Sequence, residues 1–225
     1  MAEERLLLRV LRKFFYFALS LLFTACAGLA RKSEPAVVGA PGNLEGQWHG
    51  KALVTDRQNG KSSQIILEII AREPSQLRME ILSSGLGVYL ASLALNNDQV
   101  RIALAREKRF VKTKSDPDAF LTLIPVRLPP AALLDMLFHR PMDPKLWNCD
   151  GPKAGEINKQ ETCVLRSGGA TITFDQDPAA TDRKIDLSSP NGEVEMHLEA
   201  SRSKVEIKPE IFELEPPRGY RVETR

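Results

Sequence analysis

The sequence predicts a mainly β (α+β) fold: an antiparallel sheet of about eleven strands, curled into an incomplete barrel, with mid-chain helices as a plug or a lid. Three observations lead there. Short apolar or alternating runs recur before residue 115 and again after residue 145. Turn-forming clusters separate them: Asn59-Gly60, Asn96-Asn97-Asp98, Gly168-Gly169 and Pro190-Asn191-Gly192. Between the two groups the apolar period changes from that of a strand to that of a helix, so the order is meander, helices, meander.

The first meander opens with Trp48 to Thr55 and Ser63 to Arg72, joined across Arg57-Gln58-Asn59-Gly60, where Asn-Gly supplies the positive φ angles of a tight hairpin. In Gln76 to Leu82 the residues Leu77, Met79 and Ile81 face one way, with Arg78 and Glu80 the other. Val88 to Leu95, Val100 to Ala105 and Arg109 to Lys114 complete this group. Asp116-Pro117 then reads as an N-cap followed by Pro at the first helical position, and Phe120, Leu121, Leu123 and Ile124 give that helix an apolar face. Pro129-Pro130 opens a second short helix with Leu133, Leu134, Leu137 and Phe138 at helical spacing. The second meander runs through Leu146 to Cys149, Thr162 to Arg166, Ala170 to Phe174, Lys184 to Ser188, Glu193 to Ala200 and Lys204 to Lys208. The apolar faces of the two helices need a partner, and the concave side of the sheet is the obvious one. Whether they complete a core or cover a cavity is not separable by periodicity.

The chain has 225 residues, of which 43% are hydrophobic and 27% charged, values that exclude a disordered or collagen-like protein. Residues 1–25 hold four basic side chains (Arg5, Arg9, Arg12, Lys13) and two acidic ones (Glu3, Glu4), out of 31 and 29 in the whole chain. The remainder therefore balances at 27 of each sign. A neutral body lacks the basic field that phosphate contacts require, which removes nucleic acid from the expected partners.

Residues 1–25 read as a signal segment. Arg9, Arg12 and Lys13 precede the apolar run Phe14 to Ala25, which is too short to span a hydrocarbon core of about 30 Å and suits a secretory h-region. It ends at Phe23-Thr24-Ala25-Cys26, which resembles the bacterial lipobox with Phe23 in place of the usual Leu. That resemblance implies that Cys26 becomes an acylated N-terminus, and several acyl chains anchor stably where one does so only marginally. An ordinary cleaved signal with an unrelated Cys is the other reading. Ala27 rather than Asp after the Cys points, by analogy with enteric bacteria, to the periplasmic face of the outer membrane. Residues 26–43, rich in Ala, Gly, Pro, Ser and Lys, read as a tether, and 44–225 as a single domain.

Two further cysteines, Cys149 and Cys163, lie fourteen residues apart. An oxidising compartment favours a disulfide, whose loop constraint contributes roughly 3 kcal/mol, over a metal site or a nucleophile, for which neighbouring His residues are lacking. His49, His139 and His197 are scattered, and no HExxH, GxSxG, Walker A or dinucleotide fingerprint occurs. We expect no enzyme activity, no cofactor and no metal. The unusual feature is Ser83-Ser84-Gly85-Leu86-Gly87-Val88, a turn by composition that carries an apolar side chain between two glycines. Leu86 is either tucked inward or a protruding apolar finger.

The Ser84-Gly85-Leu86-Gly87 link, Asn97-Asp98-Gln99-Val100, Arg109-Phe110 and the ending Phe212-Glu213-Leu214-Glu215-Pro216-Pro217-Arg218-Gly219-Tyr220 resemble the LolA/LolB-like superfamily, and the lipid-anchored receptor type more than the soluble carrier. The resemblance spans most of residues 44–225. It implies an incomplete barrel with a helical lid, an apolar cavity for acyl chains of lipoproteins or other lipids, and membrane insertion helped by an exposed Leu, here Leu86. A periplasmic lipoprotein carrier would be a partner. The expected cavity residues are Ile66, Ile69, Leu77, Met79 and Ile81 on strands, with Phe120, Leu133 and Leu137 on the lid. The Cys149–Cys163 pair has no counterpart in the receptor. The alternative function is an envelope scaffold or peptide-binding lipoprotein of the same fold, without lipid transfer.

Overall fold

The computed structural model describes residues 44–151, 160–175, 177, 181–201 and 207–225. The signal segment, Cys26 and the tether lie outside the described residues, as does most of the strand expected over Lys204 to Lys208; Ile207 and Lys208 are not in a strand.

Alternation of apolar and polar residues gives a single twelve-stranded sheet: β1 (Glu45–Asp56), β2 (Lys61–Arg72), β3 (Gln76–Ser83), β4 (Tyr89–Asn96), β5 (Gln99–Leu104), β6 (Arg109–Lys114), β7 (Trp147–Asp150), β8 (Gln160–Leu165), β9 (Thr171–Asp175), β10 (Asp182–Ser189), β11 (Gly192–Ala200) and β12 (Arg221–Thr224). Their spatial order is β12-β6-β5-β4-β3-β2-β1-β11-β10-β9-β8-β7. Each meander is built from neighbours in sequence. The two join where β1 pairs antiparallel with β11, from Trp48 opposite Ala200 to Asp56 opposite Gly192. β12 lies parallel to β6, with Arg221 opposite Arg109, and was not expected as a strand. The sheet stays open, with β12 and β7 at its edges, and does not close into a barrel.

Two other expectations are corrected. The first mid-chain helix is only a 3-10 turn, Ala119–Thr122. Asp116 Oδ1 accepts the Asp118 N–H at 2.9 Å, and Ile124 precedes Pro125, which disfavours continuation in the α region. The β1–β2 connection is the expected turn Arg57–Gly60, but Asn59 does not take the positive φ expected of the Asn-Gly pair. Only Gly60 has positive φ (+61°), and the Asp56 carboxylate accepts the N–H groups of Gln58 and Asn59.

The second helix, α1 (Pro130–Leu137), starts with Pro130 at its first position, where a missing N–H costs nothing. It stops in a Schellman arrangement: Arg140 N–H donates to Asp135 O (2.8 Å) and His139 N–H to Met136 O, with His139 in the left-handed region at φ +51°. Pro141 follows and prevents resumption.

The main core is one face of the sheet plus the 115–142 segment. It takes Trp48 and Ala52 from β1, Leu67, Ile69 and Ala71 from β2, Leu93 and Leu95 from β4, Ile172 and Phe174 from β9, and Met196 and Leu198 from β11, closed over by α1. Trp48 meets Phe138, just past α1, edge to face at 5.4 Å between ring centres. The opposite face has a smaller cluster, Ala94, Ala103, Phe110 and Leu214 with Tyr220 against it, where residues 209–220 cross the sheet. There Arg72 sits over the Phe212 ring at 5.3 Å.

Candidate functional site

Seven of the eight residues expected to line a cavity meet on the α1-covered face. Ile69, Leu77, Met79 and Ile81 come from β2 and β3, Phe120 from the 3-10 turn, and Leu133 and Leu137 from α1; all are between 0 and 6% exposed. Ile66 is the exception. It stands three residues from Ile69 on the same strand, an odd spacing that puts it on the other face, where it is half-buried between Lys51 of β1 and Leu82 of β3. The expectation that Ile66 and Ile69 line one cavity is therefore corrected. The inward residues of that part of β2 are Ile65 and Leu67.

On this face α1 is packed as part of the core. Ala132, Leu133, Leu134, Met136 and Leu137 are all buried. Polar contacts hold the segment at both ends. Before α1, the Ser189 hydroxyl donates to Pro125 O at 2.9 Å, and a Cβ added to Gly192 would stand 2.5 Å from Pro125 Cγ, so the chain crosses the β10–β11 turn where only glycine admits it. After α1, Arg183 Nε donates to Leu137 O, while Arg140 pairs with Asp135 at 2.7 Å and with the buried Glu73 at 3.7 Å. Arg140 also donates to Pro74 O, which ties the helix end to the β2–β3 turn. Sequence reading missed Arg140 and Arg183. Their only signal was a pair of cations aimed at a helix C-terminus, which is invisible until the chain is folded.

His139 lies at this helix end, as expected from its position after Phe138. Burial, reinforced by the Arg183 guanidinium, lowers its imidazole pKa to about 4, and neither ring nitrogen has a hydrogen-bond partner among the described residues. His197 lies on the solvent face of β11 between Lys51 and Lys184. His49 is exposed and stands 4.0 Å from Glu68, its cross-strand neighbour, a partner that is distant in sequence.

The Leu86 turn sits at the end of β3 and β4. Ser83 N–H donates to Val88 O (2.8 Å), Gly87 N–H to Ser83 O (3.0 Å) and Val88 N–H to the Ser83 hydroxyl (3.1 Å). Gly87 takes φ +61°, which a side chain would resist. These bonds fix a tight loop whose tip is Leu86, 86% exposed, with Val88 at 52% beside it. Of the two readings, inward-tucked and protruding, the structure places Leu86 outward.

Cys149 and Cys163 face each other across β7 and β8 and are joined by a disulfide. Among the described residues these two sulfurs and the Glu161 carboxylate form the one group with the compactness of a metal site, and the bond between the sulfurs consumes two of its ligands. A groove of about 510 Å³ opens beside β6, lined by Val111, Thr113, Lys114, Asp116, Asp118, Ala119, Thr122 and Arg225. Its charged lining does not suit an acyl chain, and none of the expected cavity residues borders it. No helix among the described residues is long and apolar enough to cross a membrane. No protein-family model and no curated protein matches the chain.

Proposed function

We propose that this chain is a lipid-anchored envelope protein of the LolA/LolB-like type, which takes acyl chains of lipoproteins or other lipids beneath α1 and delivers them to the outer membrane at the Leu86 turn. The observation that carries the reading is the geometry of that turn. Three hydrogen bonds hold in place a loop whose tip is an almost fully exposed Leu. Burial of that side chain contributes nothing to folding, so its use lies in contact with something apolar outside the protein. Cys26 supplies the anchor, and a periplasmic carrier supplies the cargo.

The α1-covered face gives the second support. It is a broad apolar surface without a charged group at its centre, and long acyl chains bind such surfaces at about 25 cal/mol per Å². α1 fills it in this conformation, so uptake requires α1 to act as a lid. Replacing the side chains of α1 by a lipid tail exchanges one apolar contact for another. The contacts that must break are polar: Ser189 with Pro125 at one end, Arg140 and Arg183 at the other.

The near-complete burial of α1 favours a second reading, in which the core is solid and the domain is a scaffold or peptide-binding lipoprotein. Mass spectrometry of gently purified protein separates the two. Co-purifying lipid is the expected result; a lipid-free core with a stable protein partner would establish the second reading. Leu86→Glu is expected to impair lipoprotein delivery while leaving folding intact, and undiminished delivery would remove the turn from the mechanism.

A further inference from the structure

The Leu86 turn stands at an end of β1–β6 where exposed cations outnumber acids. Its neighbour on one side is the β5–β6 turn, linked to β4 through the Ala105 N–H to Leu90 O bond and carrying Arg106 and Lys108. On the other side β2, which pairs with β3 at Ile65 opposite Ser83, runs four residues further to Lys61. Arg218, on the approach to β12, belongs to the same end, because Arg221 N–H donates to Lys108 O. Lys61, Arg106, Lys108 and Arg218 are exposed and make no ion pair among the described residues. The acids at this end are Asp56, Glu107 and, on β11, Glu193. The Asp56 carboxylate accepts the N–H groups of its own turn and stands across the strand pair from Lys61, while Glu107 pairs with Arg109 at 3.2 Å and Glu193 pairs with Arg57. At the far end the signs cancel: Glu45, Glu73, Asp98 and Asp116 stand among Arg72, Arg140, Lys114, Lys208 and Arg225, with Arg72 and Arg140 engaged by Glu45 and Glu73.

We propose that Leu86 and the collar of Lys61, Arg106 and Lys108 form one docking face for an anionic lipid surface. The collar meets headgroup phosphates while Leu86 enters between them. This rests on the reading of Leu86 as membrane-facing and adds the class of lipid it meets. An apolar tip alone would bind neutral and anionic bilayers equally. The cations make the difference, at about fivefold in affinity for each basic side chain near such a surface.

The test is co-sedimentation of the full chain carrying Cys26→Ser with vesicles of phosphatidylcholine alone, or with about a third phosphatidylglycerol (a composition chosen to give the strong surface potential of an anionic leaflet). The apolar N-terminal run is common to every variant, so only differences between them are read. We expect binding at least about thirtyfold tighter to the anionic vesicles, a preference abolished as salt shortens the Debye length to about 3 Å at 1 M. Arg106→Gln/Lys108→Gln should lose about thirtyfold on anionic vesicles and nothing on neutral ones. Leu86→Glu should weaken binding to both, and circular dichroism should be unchanged in each variant. Equal binding to the two vesicle types, or an undiminished double variant, would overturn the inference. Failure here with lipid still co-purifying removes the collar and leaves the cargo reading standing. Collar-dependent docking by a protein that holds no lipid removes the cargo reading instead.

Discussion

Leu133 sits on the buried side of α1 at 1% exposure, among the sheet side chains of the main core, and so reports on whether that helix is packed or merely resting there. Leu133→Ala removes three carbon groups. At about 0.8 kcal/mol each, the transfer term alone is about 2.4 kcal/mol. The sheet opposite is hydrogen-bonded on both sides and relaxes little into the space, so a cavity term brings the expected loss to roughly 3–4 kcal/mol. Leu121, in the neighbouring 3-10 turn, is 42% exposed and serves as the control. Leu121→Ala should cost no more than about 0.5 kcal/mol. Equilibrium urea unfolding of Cys26→Ser protein measures both, with an unchanged denaturant slope showing that the unfolded state is the same. A loss under about 1 kcal/mol for Leu133→Ala would refute the packing argument. An added long-chain fatty acid that restores the variant's midpoint would show that an acyl chain occupies the vacated volume.

Replacing both Cys149 and Cys163 by Ala should lower stability by about 2–3 kcal/mol, seen as a fall in urea midpoint that reductant reproduces in the parent protein. Arg140→Ala leaves Glu73 buried without its cation and frees the end of α1; we expect a loss of about 2–3 kcal/mol and faster amide exchange in α1 than in β1. His139 titrates lower in the folded protein than in the unfolded chain, because burial and Arg183 oppose its protonation. The unfolded chain therefore takes the proton first: stability is full above about pH 6.5 and declines as the pH falls towards 4, by up to roughly 3 kcal/mol. His139→Asn, which also tolerates the left-handed backbone, should flatten the unfolding midpoint over that interval, and an unaltered slope would assign it to other groups.

Most of the sheet was legible because strand alternation and turn residues are local properties. Leu77, Met79 and Ile81 read correctly from three successive odd positions, and Pro190-Asn191 marked a real hairpin. The misses share a cause. β12 is four residues with no apolar alternation of its own, and it is a strand only because residues 209–220 carry it across to the free edge of β6. Ile66 looked like Ile69 because a run of Ile and Leu on β2 hides the parity that the flanking strands impose. The Phe120 segment has a helical pattern, but Pro125 and the Asp116 turn leave it too short to propagate. Leu86 was legible as an anomaly, a Leu where a turn should be polar, yet its outward direction depends on bonds that only the folded hairpin makes. The anchors of α1, Arg140 just past its end and Arg183 on β10, lie far apart in sequence and meet only through the helix they hold.

The pairing of β1 with β11 has a kinetic consequence. Apart from the edge strand β12, which returns from the end of the described chain to β6, each half assembles from strands adjacent along the polypeptide, whose loops close rapidly, whereas the central junction brings together Trp48 and Ala200. The entropy of closing so large a loop must be surrendered before its nine paired residues repay it, so formation of this junction sets the pace of assembly. Until it forms, both halves present bare strand borders to their surroundings. During that interval the border of β1 is open to pairing with strands of other copies, a hazard that closes only when β11 arrives.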